Sequence, residues 1–377
     1  MNLIIGGDFY INELLTENHT ISNKLIELFT ESDFNILNLE APITNLPKEN
    51  KAYKTGPNTK MDSETVLSIF NKLKINTVSL ANNHIMDYGS EGLTDTLKWC
   101  ESNNIKYFGA GDNLDAANLP LVLDKNGTKV AILNFAENEW GIAGKNKPGF
   151  SPIDVISNVY QIKEAKKNSD FVIVIIHGGN EYYQLPSPEM VKRNRFYIEN
   201  GASAIICHHT HCTSGYEIIN NSPIFYGIGN FLFSLKSKNP TWYNGQLIKI
   251  KIEDSQQLSW EMIPVSQSMD NFSLDLLDGK AKDVYINEIN NINLVISSDM
   301  KLEFEWNKFI EKRKKGYLDV FNPVSAVTAG FLKKGIYKLR LSSLFIRKKN
   351  YRKILNNIRC ESHNEACKSI IEKFIQN

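Results

Sequence analysis

Residues 202–217 read ASAIICHHTHCTSGYE. The opening ASAIIC is an apolar run without alternation, the pattern of a strand buried on both faces. Within four positions it is followed by His208, His209 and His211, three of the seven histidines in the chain. In an open α/β sheet, ligands collect outside the carboxyl ends of the strands. The same arrangement repeats along the chain: Leu3–Gly7 runs out at Asp8, Phe34–Leu39 at Glu40, Thr77–Ala81 at Asn82, Asn83 and His84, and Phe171–Ile176 at His177 and Glu181. A lone histidine after a strand is usually a satisfied structural residue, and Asp8 alone would cap a loop. Five such endings point to one cleft holding a metal or catalytic centre.

Asp, Glu, Asn and His together suit one or two divalent metals. Imidazole favours Zn, Fe, Mn and Ni, whereas carboxylate and amide oxygens draw harder ions, so the mixed set points to Mn, Fe or Zn over Ca or Mg. A carboxylate such as Glu40 can bridge two ions about 3.5–4 Å apart, a pair that activates water and neutralises phosphoryl charge. His84 adjoins Asn83, and neighbours on an extended chain point in opposite directions, which suits His84 to donating a proton to a leaving oxygen. A Ser-His-Asp triad is the weaker alternative: the chain has no GxSxG elbow, P-loop or GxGxxG with a following acid.

Strand and helix alternate up to about residue 265, which predicts an α/β domain with a largely buried sheet. The remaining strands are placed at Lys129–Phe135, Ile224–Gly227, Gln246–Ile252 and Leu258–Pro264. A helix starts at Ser187 with Pro188 in its first turn and stops at Gly201; others begin at Asp62 or Ser63 and at Ser90. From about residue 266 the pattern turns helical, over Met300–Lys315, Val324–Leu341, Arg347–Ile358 and Ser362–Ile375, the last opening with Ser362 and Glu365 as a capping box. The expected organisation is therefore a domain over 1–265 and a helical extension over 266–377.

The extension is basic. From Lys308 to Cys360 there are 15 Lys/Arg against 2 Asp/Glu, in a chain whose net charge is +1. Such helices dock on anionic lipid headgroups, bind an acidic polymer, or form a solvated face. Specific nucleic-acid binding is not expected, since no reader motif is present. The opening MNLIIGGDFY has neither a basic n-region nor an apolar stretch long enough for a signal peptide or a span, so the expected location is cytoplasmic, with peripheral membrane contact through the basic helices. Five cysteines without CxxC pairing are read as reduced thiols. Cys207 and Cys212, although they flank the histidines, are read as a strand end and a loop start.

The stretches GGDFY, NLEAPIT, SLANNHIMDYGSEGL, FGAGDN, HGGNEYY, GASAIICHHTHCTSGYE and PIFYGIGNFLF follow in order from Gly6 to Phe233. With them the chain resembles the bacterial capsule-synthesis CapA family of the poly-γ-glutamate type, a branch of the calcineurin-like metallophosphatases. The resemblance implies a four-layer α/β/β/α sandwich with the site at one edge of the sheets. It also implies Asp8 and His211 on a first metal, Glu40 bridging, and Asn83, His177 and His209 on a second. His84 would be the general acid or stabilise transition-state charge. Asp87 and Glu181 would orient imidazoles or touch substrate. Where the phosphatase pattern has a histidine two residues after the first Asp, this chain has Tyr10, which leaves the first metal short of a ligand.

Lys54 in YKTGPN is a candidate contact for an anionic group, Trp140 and Tyr183 for a sugar or polymer, and His208 and Asn230 for support of the site; each also has a purely structural reading. The expected function is metal-dependent phosphoesterase-type hydrolysis in capsule or surface-polymer synthesis, on an anionic polymer or a phosphorylated glycan or lipid-linked substrate. The alternatives are an accessory component that binds without turnover and a hydrolase of amides or other esters.

Overall fold

A computed structural model of the chain describes residues 1–253, 258–321 and 348–376. Two sheets face each other. The larger contains β1 (Asn2–Tyr10), β2 (Phe34–Leu39), β3 (Thr77–Ser79) and β4 (Lys106–Phe108), all parallel, and continues beyond β1 through antiparallel β14 (Asn244–Ile252), β15 (Leu258–Gln267) and β16 (Leu274–Leu276). The smaller contains β6 (Leu121–Lys125), β7 (Thr128–Ala136), β9 (Phe171–His177), β10 (Ala204–His208), β12 (Ser222–Phe225) and β11 (Tyr216–Ile219). Its four central strands are parallel. A short ribbon pairs β5 (Ala110–Gly111) with β8 (Gly149–Phe150).

Alternate residues of the central strands face opposite layers. Leu3 and Ile5 meet Ile173, Ile175 and Ile206 between the sheets. On the outer face of the larger sheet, Ile4, Phe9 and Leu37 pack under α1 (Asn23–Thr30), α2 (Ser63–Leu73) and α3 (Gly89–Ser102). On the other outer face, Val172, Val174 and Ile205 pack under α5 (Val155–Asn168) and α6 (Pro188–Glu199). The one-turn α4 (Leu114–Ala117) adjoins the ribbon. The four-layer α/β/β/α sandwich expected from the sequence is the observed architecture. Two helix starts are capped as read: Asp62 accepts from Thr65 N and Ser187 from Met190 N, each holding an N–H that the helix leaves without a partner, whereas α3 starts at Gly89, one residue before the expected Ser90, without a side-chain cap.

β1 divides. Its first half pairs with β14, and its second half, beyond an irregularity between Ile5 and Asp8, pairs with parallel β13 (Asn230–Phe233). Gly7 sits at this fork: a Cβ there would lie 1.9 Å from Gly229 O, so only glycine admits the approach.

The boundary at 265 needs correction. β15 runs to Gln267 and β16 extends the sheet to Leu276, while Gln267 bonds both backbone groups of Phe233. The helix α7 (Gly279–Ile296) has no counterpart in the sequence reading. Together with α8 (Asp299–Phe321) it completes the outer layer of the smaller sheet, burying Ile296 and Leu302 beside Tyr226. α9 (Lys348–Arg359) and α10 (Glu361–Gln376) pack on α8, with Trp306, Ile310, Ala366 and Ile370 as a small core of their own. The expected helix at 324–341 lies outside the described residues. The expected capping box does not form, because both side chains are used on the sandwich: Ser362 Oγ donates to Glu137 at 2.7 Å, and Glu365 accepts from Ser187 Oγ and from Glu189 N, thereby capping α6.

Candidate metal centre

The carboxyl ends of β1, β2, β3, β9 and β10 meet at one edge, where the two sheets contribute side chains to a single buried cluster. Oxygens of Asp8 and Glu40 and a ring nitrogen of His177 all lie within 4.8 Å of one another. His211 spans the two carboxylates, with Nδ1 3.6 Å from Asp8 Oδ2 and Nε2 3.5 Å from Glu40 Oε1. His177 Nε2 is 3.0 Å from both Asn83 Oδ1 and His209 Nδ1. The candidate ligands Asp8, Glu40, Asn83, His177, His209 and His211 are thus in one place, and all are buried.

The set fits a divalent ion on its own chemistry. Glu40 Oε1 is buried without a hydrogen-bond partner. Burial and the neighbouring Asp8 push the Glu40 carboxyl well above its ordinary range. Asp8, although burial opposes it, is held far below by His208, His177 and His211. Burial and His209 drive His177 well below its ordinary value, so its imidazole is neutral, the form that ligates. Asp8 and Glu40 oppose each other's ionisation, and a cation between them would let both carboxylates hold their charge. His209 and His211 both take positive φ, 87° and 52°, a conformation uncommon outside glycine that concentrates where function over-determines the backbone.

Supporting side chains surround this cluster. Asn38, two residues before Glu40 and hence on the same strand face, donates to Asp8 Oδ1 at 2.8 Å and is itself held by Asn82. The sequence reading passes over it, although the N-x-E spacing marks it. Asn230 accepts from His211 Nδ1 at 2.9 Å and donates to Trp242 O, so it orients that imidazole. His208 lies 3.3 Å from Asp8 Oδ1 without hydrogen-bond alignment, and neither ring nitrogen has a partner among the described residues. Tyr10 turns into the core, its ring 5.0 Å from that of Phe233.

Above the cluster is a cavity of about 400 Å³ whose floor includes Asn83, His84 and His209. His84 Nδ1 is 2.7 Å from the buried Asp87, and among the described residues Nε2 has no protein hydrogen bond. Asp87 also accepts from Thr59 and pairs with Lys54, which reaches Asn83 O as well. Burial opposes ionisation of Asp87, but His84 and Lys54 outweigh it and hold its carboxyl low. Glu181 lines the cavity, lowered by His209 and His211 against its desolvation. The roof has no forerunner in the sequence reading: Arg313, Tyr317, Asn356, Asn357 and His363, all from the C-terminal helices, line the same cavity. Those helices grip the rim by stacking, with Arg352 over Tyr53 and Arg359 over Trp140 at 4.0 Å. Tyr183 is instead packed on Phe309 and Trp306. The five cysteines are buried and free. No described helix is long and apolar enough to cross a membrane.

Similar proteins carry the same stretch of chain. The PGA biosynthesis protein CapA of Bacillus subtilis is 36% identical over 210 residues, covering 55% of this chain and 54% of its own. The capsule biosynthesis protein CapA of Bacillus anthracis is 33% identical over 211 residues, covering 54% and 51%. A probable polyglutamine synthesis accessory protein of Mycobacterium tuberculosis is 29% identical over 218 residues, covering 53% and 56%. The chain thus spans about half the length of the curated relatives it matches. Among solved structures, a hypothetical protein from Thermus thermophilus aligns over 70% of this chain and 99% of its own, at 13% identity and a TM-score of 0.41. The model of the bacterial capsule synthesis protein PGA_cap family matches residues 3–235, which include every strand that supplies the cluster, and the chain belongs to that family.

Proposed function

We propose that the chain is a metal-dependent phosphoesterase-type hydrolase acting in the synthesis or processing of a bacterial capsule or surface polymer. The observation that carries this reading is a buried Asp/Glu/Asn/His donor set directly beneath a cavity whose floor holds an oriented His84. Asp8, Glu40, Asn83, His177, His209 and His211 would hold one or two Mn, Fe or Zn ions, which when bound supply water activation and neutralisation of phosphoryl charge. Asp87 holds His84 Nδ1 and so orients the ring, which places Nε2 to serve the leaving oxygen as a proton donor. Lys54 and Arg313 supply positive charge at the cavity walls, which supports an anionic polymer or a phosphorylated glycan or lipid-linked substrate. On α9, a helix rich in Lys and Arg, Tyr351, Leu355 and Ile358 are exposed on one face, which supports contact with an anionic membrane surface.

A second reading, an accessory protein that binds polymer or metal without turnover, is supported by the mycobacterial relative's being described as an accessory protein. A panel of phosphomonoesters and phosphodiesters assayed with added Mn or Zn separates the two. Hydrolysis is expected, with His84→Ala lowering kcat by about 10²–10⁴ at unchanged metal content. Absence of metal-dependent turnover across the panel refutes the phosphoesterase and leaves the accessory reading and the hydrolysis of amides or other esters.

A further inference from the structure

A second cluster of metal-ligating side chains lies at the seam between the sandwich and the C-terminal helices, and the chemistry proposed above makes no use of it. Cys360 and His363 stand at the start of α10, and Glu139 comes from the loop after β7; one ligand atom from each lies within 4.8 Å of the other two. The spacing Cys-x-x-His at a helix start places both side chains on one side of its first turn. Asn364 N bonds Cys360 O at 2.8 Å, so Cys360 stands at the capping position of α10, where a helix favours thiolate. Tyr317 OH holds His363 Nδ1 at 2.8 Å, which leaves Nε2 as the ligating nitrogen and fixes the ring, as partners of metal-bound imidazoles do.

The charge around the seam also calls for a cation. Glu137, Glu139 and Glu361 all act on this one region: Glu137 Oε2 accepts from Cys360 Sγ at 3.2 Å, and Glu361 accepts from Asn138 N. Arg359 is nearby, but it stacks on Trp140, and its buried Nε and Nη2 have no partner among the described residues. Arg193 lowers Glu137 and Glu361 from a distance, but neither arginine makes an ion pair with these carboxylates.

We propose that Glu139, Cys360 and His363 bind a further divalent transition metal of the zinc class, which fastens the C-terminal helices to the sandwich at the rim of the cavity. Ordinary Zn–S, Zn–N and Zn–O bonds in a tetrahedron put ligand atoms about 3.4–3.6 Å apart, a contraction that small rotamer changes supply. The thiol proton leaves as the S–metal bond forms, and Glu137, already in contact with Sγ, is placed to take it. Glu139 and His363 both line the cavity, so the fourth position opens toward it. Glu139 Oε1 is also 3.8 Å from His209 Nε2, which brings the two centres side by side through one carboxylate.

The test uses the full chain carrying Asp8→Ala and His209→Ala, which removes the deeper centre whether or not that centre is catalytic. Cobalt titration is expected to give sulfur-to-metal charge-transfer absorption, and plasma mass spectrometry about one zinc per chain. Adding Cys360→Ser and His363→Ala should abolish both. Unfolding midpoints in excess chelator should match between the two variants, and zinc should raise only that of the variant retaining Cys360. The inference is overturned by a cobalt titration without charge-transfer absorption, or by equal zinc content in the two variants. If the added substitutions lower the midpoint in chelator, Glu139→Gln alone, in which all of α10 is intact, takes their place with the same expected loss.

Discussion

Glu137 makes the docking of the C-terminal helices sensitive to pH. Its carboxyl is buried in the seam, where it accepts from Gly179 N at 3.0 Å, Ser362 Oγ at 2.7 Å and Cys360 Sγ. Burial, reinforced by Glu361, raises it from 4.5 to about 7. A carboxyl raised in the folded state is neutral in both states below the unfolded value and ionised in both above the folded one. Stability is therefore fully present at low pH and is lost as the pH rises from about 4.5 to about 7. At about 1.4 kcal/mol per unit, the loss is about 3 kcal/mol. Glu137→Gln removes the titration but keeps the shape: Oε1 still accepts from Gly179 N, and the amide donates to Ser362 Oγ. Urea unfolding followed by tryptophan fluorescence, with Trp306 buried in the cap and Trp140 under Arg359, reads the seam directly when done in chelator from pH 5 to 8. Glu361 and Glu365 are raised by burial too, so the decisive quantity is the parent minus the variant. That difference should move by about 3 kcal/mol in favour of the variant as the pH rises. A flat difference across this window refutes the reasoning.

Three further outcomes are expected. Gly7→Ala should cost about 3 kcal/mol, read as a fall in Tm, because the new methyl meets the Gly229 carbonyl and the backbone on both sides is paired. Asn230→Ala should weaken binding of the deeper metal by about 10–100-fold in a competition titration, since it frees the His211 ring. Asp87→Ala should destabilise by about 3 kcal/mol, because Lys54, whose side chain is 4% exposed, is left charged and unpaired, and the double variant with Lys54→Met should recover most of that loss in chemical denaturation.

The strands and their endings are legible because buried parallel strands read as unbroken apolar runs, and because Asp8, Glu40, His177 and His209 each follow one such run. Asn38 escapes notice because it sits inside a run, where an amide looks like a tolerated core polar residue. The roof is illegible for a different reason. Arg313, Asn356 and His363 lie well beyond the last motif, on helices whose own periodicity reports packing against one another and says nothing of what they cover. The capping box fails because Ser362 and Glu365 find partners on the sandwich, a competition that local sequence cannot show. The positive φ of His209 and His211 is not marked in the sequence, since histidine, although enriched there among residues other than glycine, mostly takes ordinary backbone angles.

The fork in β1 bears on how the chain is made. As the chain leaves the ribosome, β1 is held on one side by β2, which follows promptly, but its other edge waits for Asn230–Phe233 and Asn244–Ile252, with Asn2 finally opposite Lys251. At about 5–20 residues per second, roughly 12–50 seconds of synthesis separate the two. During that interval the apolar LII segment presents an open edge, and Asp8 has Asn38 but none of the histidines that fix it. Nascent chains of this protein should therefore depend on a holding chaperone, and metal should enter only after most of the sandwich has emerged.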